Sequence, residues 1–293
     1  MAVVDAWEHR PLLWGLAYRM TGTVQDADDV VQDTWVRMLE RPPDTDRPLR
    51  PWLVAVTLNL ARDRLRARRR AGWTGPWLPE PVPDARLADD RLAMRQTASW
   101  AFLCRAEALT PTQRAVFLAR EVLELSSAET AETLRVSTNV VDVTLHRART
   151  ILGRLPAGPR LADDAVVLAF LAALQVGAIP VARRLLAHDV VCVNDGGGVV
   201  NAARVPITGV ERLLRFFVRI QRLYPDGVSW RAERCNGLLL FIGHPRGAVG
   251  RKPPLSTVFA EVEGGKIVRF SSQLTPAKLQ KFLTPSLDGK GQR

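Results

Sequence analysis

Cysteine and histidine are scarce in this chain of 293 residues. Its three cysteines, Cys104, Cys192 and Cys235, lie far apart and form no C-x-x-C pair. This spacing indicates neither a disulfide framework nor a thiolate metal site, and it favours a reducing compartment. The four histidines are scattered without the spacing of metal ligands, so we expect no bound metal and no cofactor.

Long apolar runs are also scarce. Residues 1–10 lack a basic segment followed by an apolar core, which is the pattern of a secretory signal, so we expect the protein in the cytoplasm. The most apolar segment, residues 165–182, is barely long enough to cross about 30 Å of hydrocarbon, and Gln175, Gly177 and Pro180 interrupt it. It therefore predicts a buried helix, a turn and a second helix.

Positive charge is abundant. The chain carries 41 lysines and arginines against 30 acidic residues, a formal net charge of +11, which points to nucleic acid or an anionic membrane as partner. The hydrophobic content of 47 % predicts packed cores, and the length favours two domains.

The chain divides into three blocks of different pattern. The first has an apolar face at helical spacing, the second has the short helix, tight turn and longer helix of a helix-turn-helix, and the third is α+β, with helices before an antiparallel sheet. The predicted boundaries are 1–71 for the first helical block, 72–91 for a proline-rich linker, 92–156 for the helix-turn-helix block, 161–285 for the α+β block and 286–293 for a tail.

The first block contains an acidic cluster and a basic cluster. The aspartates of residues 26–33 lie near a predicted helix start, which is either a solvated end stabilised by the helix dipole or a docking face for a basic protein. The arginines of residues 62–70 predict a guanidinium stripe that binds phosphates. Nearby Trp52 and Asn59 suit capture of an unstacked base, although the residue pattern favours the core as the place of Trp52.

The order and spacing of several motifs resemble a known family. TVQDADDVVQDTWVRM, PWLVAVTLNLARDRLRARRR and LTPTQRAVFLAREVLELSSAETAETL with HRAR at 146–149 resemble regions two and four of extracytoplasmic-function (ECF) sigma factors. WLPEP in the linker, DGGG at 195–198 and TPAKL at 275–279 are similar to the sub-family that carries a C-terminal SnoaL-like domain. The resemblance implies an all-α region 2 bundle, an all-α helix-turn-helix region 4 and a C-terminal α+β cone of the NTF2-like fold.

The resemblance also implies a function in transcription initiation rather than catalysis, with core RNA polymerase (its β′ clamp helices and β subunit) and promoter DNA as partners. The residues implied for the polymerase are Asp28, Asp29, Gln32 and Trp35, and we expect the two aspartates on an exposed charged face. Those implied for the −10 element are Trp52, Asn59, Arg62 and Arg66. Those implied for the −35 element are Thr138, Asn139, Asp142, Val143, His146, Arg147 and Arg149.

A contact between the linker and the C-terminal domain is implied in the same way, and we expect it to regulate the protein. Trp73, Trp77 and Leu78 are the expected anchors, although Trp77 could instead cover an edge of the first block. The residues implied for this regulatory contact are Trp77, Leu78, Pro79, Asp195, Gly196, Gly197, Gly198, Pro276 and Lys278.

Four positions depart from the pattern of the resembled family. Asp142 and Val143 stand where Arg-Gln is usual, which places a carboxylate where phosphate would repel it. Arg135 occupies a turn position where glycine is common, at some cost if the backbone there is left-handed. Val199 stands where DGGG usually continues with lysine.

Two other functions stay open at this point. The chain could be a ligand-responsive DNA-binding regulator that acts without polymerase, or a SnoaL-like isomerase or cyclase with a basic helical appendage, and an unidentified small-molecule ligand of the C-terminal domain is a further candidate partner. The acidic cluster together with WLPEP favours the sigma factor. The ionisable residues that such an enzyme would use are expected at the surface or in turns; they are His188, Asp189, Asp195, Tyr224 and His244.

Overall fold

The computed structural model describes residues 7–43, 48–87, 96–153, 161–224, 226–246 and 252–283. The chain forms two compact units. The N-terminal unit comprises Met1–Gly72 and Asp84–Gly158, and the C-terminal unit comprises Trp73–Pro83 and Pro159–Arg293. The first helical block and the helix-turn-helix block therefore belong to one unit, and most of the predicted linker belongs to the other. The predicted tail, 286–293, lies outside the described residues.

The described part of the N-terminal unit is helical throughout. Its helices are α1 (Arg10–Thr21), α2 (Val24–Glu40), α3 (Leu49–Ala71), α4 (Trp100–Ala106), α5 (Pro111–Glu121), α6 (Ser127–Leu134) and α7 (Thr138–Leu152), with a 3₁₀ turn at Asp84–Arg86.

Side-chain caps fix where helices α5, α6 and α7 begin. Thr110 and Ser126 form capping boxes at the starts of α5 and α6. In each box the hydroxyl accepts from the backbone N–H of the residue three positions later, Gln113 or Glu129, and the side chain of that residue accepts from the backbone N–H of the cap. Ser137 caps α7. Between α6 and α7 the turn residue Arg135 has φ of 55°, so the backbone at this position is left-handed although the residue carries a Cβ.

A buried ion-pair network joins the helices of the N-terminal unit. Arg114 is fully buried, donates through Nε to the Arg19 carbonyl at 2.7 Å and donates through Nη1 to Glu107 Oε1 at 2.6 Å. Arg68 of α3 donates to the other Glu107 oxygen at 2.7 Å. Burial raises the pKa of the Glu107 carboxyl, but the two guanidinium groups outweigh burial and hold that pKa below its ordinary value.

The C-terminal unit packs helices against a sheet. Its elements are α8 (Leu161–Gln175), α9 (Ile179–Arg184), β1 (Leu186–Asp195), β2 (Ile207–Thr208), α10 (Val210–Leu223), β3 (Val228–Cys235), β4 (Leu238–Pro245), β5 (Ser256–Glu263), β6 (Lys266–Gln273) and α11 (Gln280–Leu283). The apolar segment 165–182 forms α8, a turn and α9, as predicted. None of the described helices is long and apolar enough to cross a membrane.

The strands of the described residues form one sheet in the order β2-β1-β6-β5-β4-β3. Strands β3 to β6 follow one another as antiparallel neighbours, but β1 pairs with β6 in parallel, with Val193 opposite Ser271. The prediction of an antiparallel sheet was therefore wrong for this pair. Strands that adjoin in sequence are paired by their turns, whereas the direction of a distant strand such as β1 is set by how the helices pack.

One face of the sheet carries the apolar core beneath α8 and α10. Three phenylalanine rings lie at its centre, with 5.1 Å between the centroids of Phe170 and Phe270, 5.3 Å between Phe217 and Phe270, and 5.7 Å between Phe170 and Phe217. Burial of Cys192 in the same cluster raises the pKa of its thiol to about 12, so the sulfur packs as a neutral apolar group. Phenylalanine side chains thus fill the interior of the predicted cone.

Candidate functional site

Asp195, at the end of β1, lies at the centre of a buried polar cluster. Its carboxylate is fully buried, contrary to the expectation of a surface or turn position. Oδ1 accepts from Trp73 Nε1 at 2.9 Å, Gly197 N at 3.1 Å and Thr275 Oγ1 at 3.2 Å. Oδ2 accepts from Leu78 N at 2.8 Å, Gln273 Nε2 at 3.0 Å and Lys278 Nζ at 2.8 Å. We call these residues, together with Trp77, the Asp195 cluster.

Lys278 balances the buried carboxylate. Its side chain is 7 % exposed, and its Nζ also donates to the Leu78 carbonyl at 2.6 Å. The ammonium lies 4.4 Å from the ring centroid of Trp73 and 4.2 Å from that of Trp77, so the two indoles hold it between their faces. The two tryptophans of the predicted linker are thus part of an ion-pair site.

The DGGG loop is shaped for close approach of the linker. Gly197 has φ of 58°, and a Cβ there would lie 3.1 Å from the Trp73 ring. A Cβ on Gly196 would lie 2.7 Å from the Ala202 Cβ. Glycine is therefore required at both positions, whereas Val199, which replaces the usual lysine, is exposed.

The residues implied for the regulatory contact come together. Leu78 and Pro79 both offer carbonyls to Gln273, at 3.0 and 3.2 Å, and Pro276 begins the 3₁₀ turn Pro276–Lys278 that presents the lysine. Sequence reasoning missed Gln273. Its signal was a glutamine two residues before TPAKL, within a run whose residues predict a buried strand.

The side chains implied for the −10 element make contacts within the N-terminal unit. Asn59 Nδ2 donates to the Thr133 carbonyl at 2.8 Å, and Arg62 Nη1 donates to the Leu134 carbonyl at 3.0 Å. Arg62 Nη2 also donates to Asn59 Oδ1 at 2.6 Å. Burial, followed by the neighbouring Arg66, lowers the pKa of the Arg62 guanidinium. Both side chains are therefore engaged by the C-terminal end of α6.

The rest of the predicted guanidinium stripe is also largely paired. Arg64 lies 2.9 Å from Asp29 and 3.5 Å from Asp26 and Asp33, so the basic cluster neutralises the acidic one. Arg66 pairs with Asp63 at 2.9 Å. Trp52 is half-buried, so it is neither fully in the core nor fully available to capture a base.

The aspartates implied for the polymerase each have a partner within the N-terminal unit. Asp28 accepts from Trp14 Nε1 at 2.8 Å, and Asp29 from Arg64 at 2.9 Å, with both side chains half-exposed. The charged face expected at these two positions is therefore half-exposed and partly satisfied within the chain. Gln32 is exposed, and the half-buried Trp35 ring packs 5.7 Å from Trp7.

Helix α7 presents the residues implied for the −35 element to solvent. All seven side chains are exposed; they are Thr138, Asn139, Asp142, Val143, His146, Arg147 and Arg149. Val140, which sequence reasoning did not include, is exposed beside them, while Arg149 pairs with Glu121 at 2.5 Å. Asp142 accepts from Ser127 Oγ at 2.7 Å, so the unusual carboxylate has a hydroxyl partner on α6.

Replacing Asp142 tests whether α7 approaches DNA at this position. Asp142→Arg should raise affinity for cognate −35 duplex about tenfold, since it removes a charge repelled by phosphate and adds a fork donor. Fluorescence anisotropy at fixed salt measures the change. Ser127→Ala, which removes only the hydroxyl partner, is the matched control. Equal affinity for the wild type and Asp142→Arg would place residue 142 away from the groove.

The ionisable residues of the enzyme alternative lie on different elements. His188 and Asp189 are exposed on β1, while Tyr224 and His244 are half-buried. Burial raises the pKa of Tyr224, whereas burial followed by Arg231 lowers that of His244. Among the described residues, no three His, Cys, Asp or Glu side chains are grouped as metal ligands would be.

Comparison with protein families places two matches on this chain. The model described as Sigma-70 region 2 matches residues 7–71, which hold α1 to α3. The model described as Sigma-70, region 4 matches residues 99–152, which hold α4 to α7.

Two curated proteins and one solved structure extend the likeness into the C-terminal unit. The ECF RNA polymerase sigma factor SigJ of Mycobacterium tuberculosis is 34 % identical over 228 residues, covering 75 % of this chain and 73 % of SigJ. Probable ECF RNA polymerase sigma factor SigI of the same species is 30 % identical over 288 residues, covering 94 % of each chain. The crystal structure of M. tuberculosis SigJ superposes with a TM-score of 0.76 at 28 % identity, covering 95 % of this chain and 98 % of that one.

Proposed function

Since this chain belongs to the ECF RNA polymerase sigma factors, we propose that its C-terminal unit sets the activity of the sigma regions through the Asp195 cluster. It is a transcription initiation factor, not an enzyme, and its partners are RNA polymerase and promoter DNA. We place its action in the cytoplasm.

The observation that carries the proposal is the capture of the linker by the C-terminal unit. Residues 73–83 lie in sequence between the two sigma regions, yet Leu78 N and the Trp73 indole donate to the Asp195 carboxylate. A linker held in this way cannot follow another path at the same time. Because linker and cluster are in one chain, their effective concentration is high, so a modest contact biases which conformation a partner meets.

The residue roles follow the two matched regions. Helix α2 contacts the β′ clamp helices of polymerase through Gln32, Trp35 and their neighbours, and the β subunit is a further contact. The −10 element is bound by α3 and the −35 element by α7. Asn59 and Arg62 donate to the end of α6 in the free protein, so we propose that polymerase binding separates α3 from α6 before these side chains reach DNA.

Run-off transcription with core polymerase tests the proposal. The full chain should direct transcription from a subset of genomic promoter fragments. Removal of residues 160–293, which takes away the C-terminal sheet, should change the yield from those promoters several-fold. Removal of residues 275–293, which deletes Lys278 but leaves the sheet, should change it by a different amount.

Co-purification with core polymerase is the control, since it separates lost binding from altered regulation. Equal transcription by all three proteins at equal polymerase occupancy would contradict a regulatory role for the C-terminal unit. Failure of the full chain to direct any transcription would contradict the promoter-specific role itself.

A further inference from the structure

Helix α10 of the C-terminal unit carries four exposed arginines on one face. They are Arg212, Arg215, Arg219 and Arg222. With 3.6 residues per turn, these positions fall within an arc of about 80° around the helix axis and extend over about 15 Å along it. The sequence therefore builds a straight row of guanidinium groups.

These four guanidinium groups have no hydrogen bond or ion pair with any residue that the structure describes. The arginines of α3 differ in this respect, since Arg62, Arg64 and Arg68 are engaged by carbonyls or carboxylates of the N-terminal unit. The single acidic residue of α10, Glu211, is bound by Arg183 of α9. The row is thus a concentration of unneutralised positive charge.

The opposite face of α10 holds the row in place. Leu213 and Leu214 are buried in the core, and Phe217 contacts Phe270 of the sheet. Gln221 Nε2 donates to the Leu174 carbonyl at 3.1 Å, and Lys252 Nζ donates to the Leu223 carbonyl at 2.5 Å, adding a cation at the end of the helix. These contacts fix the position of the helix from which the four arginine side chains extend.

We infer that this row, which we call the α10 arginine face, binds the phosphate backbone of duplex DNA. Along one strand, phosphates recur about every 3.4 Å of helix axis, so about four of them lie within the 15 Å that the row spans. Arginine forks pair with phosphate oxygens by charge-assisted hydrogen bonds. Such contacts anchor a protein on DNA without reading its sequence.

Charge alone would also attract an anionic membrane. A helix that binds in a membrane surface inserts its apolar face between the lipids, however, and the apolar face of α10 is consumed by the core of the C-terminal unit. DNA needs only the cationic face. The inference rests on the proposed function to the extent that a promoter-binding protein brings its C-terminal unit near DNA.

The salt dependence of DNA binding tests the inference in the full chain. Log affinity for a 30-base-pair duplex of arbitrary sequence falls linearly with log salt, by about 0.9 for each phosphate contact. Arg215→Ala with Arg219→Ala should make this slope shallower by nearly two. Arg215→Lys with Arg219→Lys, which keeps both charges, should retain most of it.

A second pair of substitutions controls for net charge. Arg183→Ala with Arg231→Ala removes the same two charges from the C-terminal unit, but these arginines are already paired with Glu211 and Glu233. In this control variant the slope of log affinity against log salt should differ from that of the wild type by less than about half a unit. Circular dichroism establishes that each variant keeps its fold.

Two results would overturn the inference. An unchanged slope in the Arg215, Arg219 alanine variant would show that the α10 arginine face does not meet phosphates of DNA. Lost binding to phosphatidylglycerol vesicles with an unchanged DNA slope would assign the face to a membrane. Both readouts are independent of transcription, so failure of the run-off assay would reject the proposed function and leave the DNA-binding measurement standing.

Discussion

Asp195→Ala should lower the free energy of unfolding of the C-terminal unit by about 3–5 kcal/mol, because it leaves the Lys278 ammonium buried without its anion. The five other donors to this carboxylate also lose their charged acceptor; they are Trp73 Nε1, Leu78 N, Gly197 N, Gln273 Nε2 and Thr275 Oγ1. Urea denaturation of the full chain measures the loss. Trp73 and Trp77 fluorescence should report release of the linker in the same transition, since both indoles contact Lys278.

A second variant separates the ion pair from general damage to packing. Asp195→Ala combined with Lys278→Met removes both charges, so it should be more stable than Asp195→Ala alone by 1 kcal/mol or more, on the order found when buried pairs are replaced together. If the double variant loses the full sum of the two single losses, Asp195 and Lys278 do not interact as a pair. Equal stability of Asp195→Ala and wild type would show that the cluster does not hold the linker.

Arg114→Ala should destabilise the N-terminal unit by about 3 kcal/mol, because it empties a fully buried position and leaves the partly buried Glu107 carboxylate with Arg68 as its remaining ion-pair partner. The substitution also removes the donor to the Arg19 carbonyl. Thermal unfolding followed by circular dichroism of the helices measures the effect. Arg66→Ala removes a more exposed, locally paired guanidinium and should cost less than 1 kcal/mol, which makes it the matched control.

Acid should reproduce part of this loss in the wild type. The pKa of Glu107 is lower in the folded protein than its ordinary value of 4.5, so its contribution to stability is present above that value and disappears as the pH falls through the lower, folded pKa. Unfolding free energies measured between pH 6 and pH 3 should therefore fall less steeply in Arg114→Ala than in the wild type. Identical pH profiles would mean that the network contributes no linked protons.

Local signals predicted the helices of the N-terminal unit well. Thr110-Pro111 and Ser137 are typical helix starts, and either Ser126 or Ser127 could begin the helix between them. The capping bonds confirm Thr110 and Ser137 and select Ser126, because a cap is decided by residues within one turn.

Contacts between segments that are distant in sequence could not be predicted. From sequence, Arg64 is a candidate phosphate ligand, but in the structure it pairs with Asp29 of α2 at 2.9 Å. Asp195 is predicted at the surface or in a turn, but its carboxylate accepts a hydrogen bond from Leu78, 117 positions earlier. The parallel pairing of β1 with β6 has the same cause. In each case the deciding partner lies on a remote segment, so no spacing in the sequence announces it.

Residues 73–83 are fastened to a sheet that begins more than a hundred positions later, although helices of the other unit precede and follow them. This arrangement constrains how such proteins can be recombined. A chimera that takes residues 159–293 from a relative but keeps residues 73–83 of this chain combines a sheet and a linker from two different proteins. The buried lysine and aspartate of the relative would then have to pack against the tryptophans of this chain. The C-terminal unit is therefore discontinuous in sequence, and a functional exchange must transfer residues 73–83 together with residues 159–293.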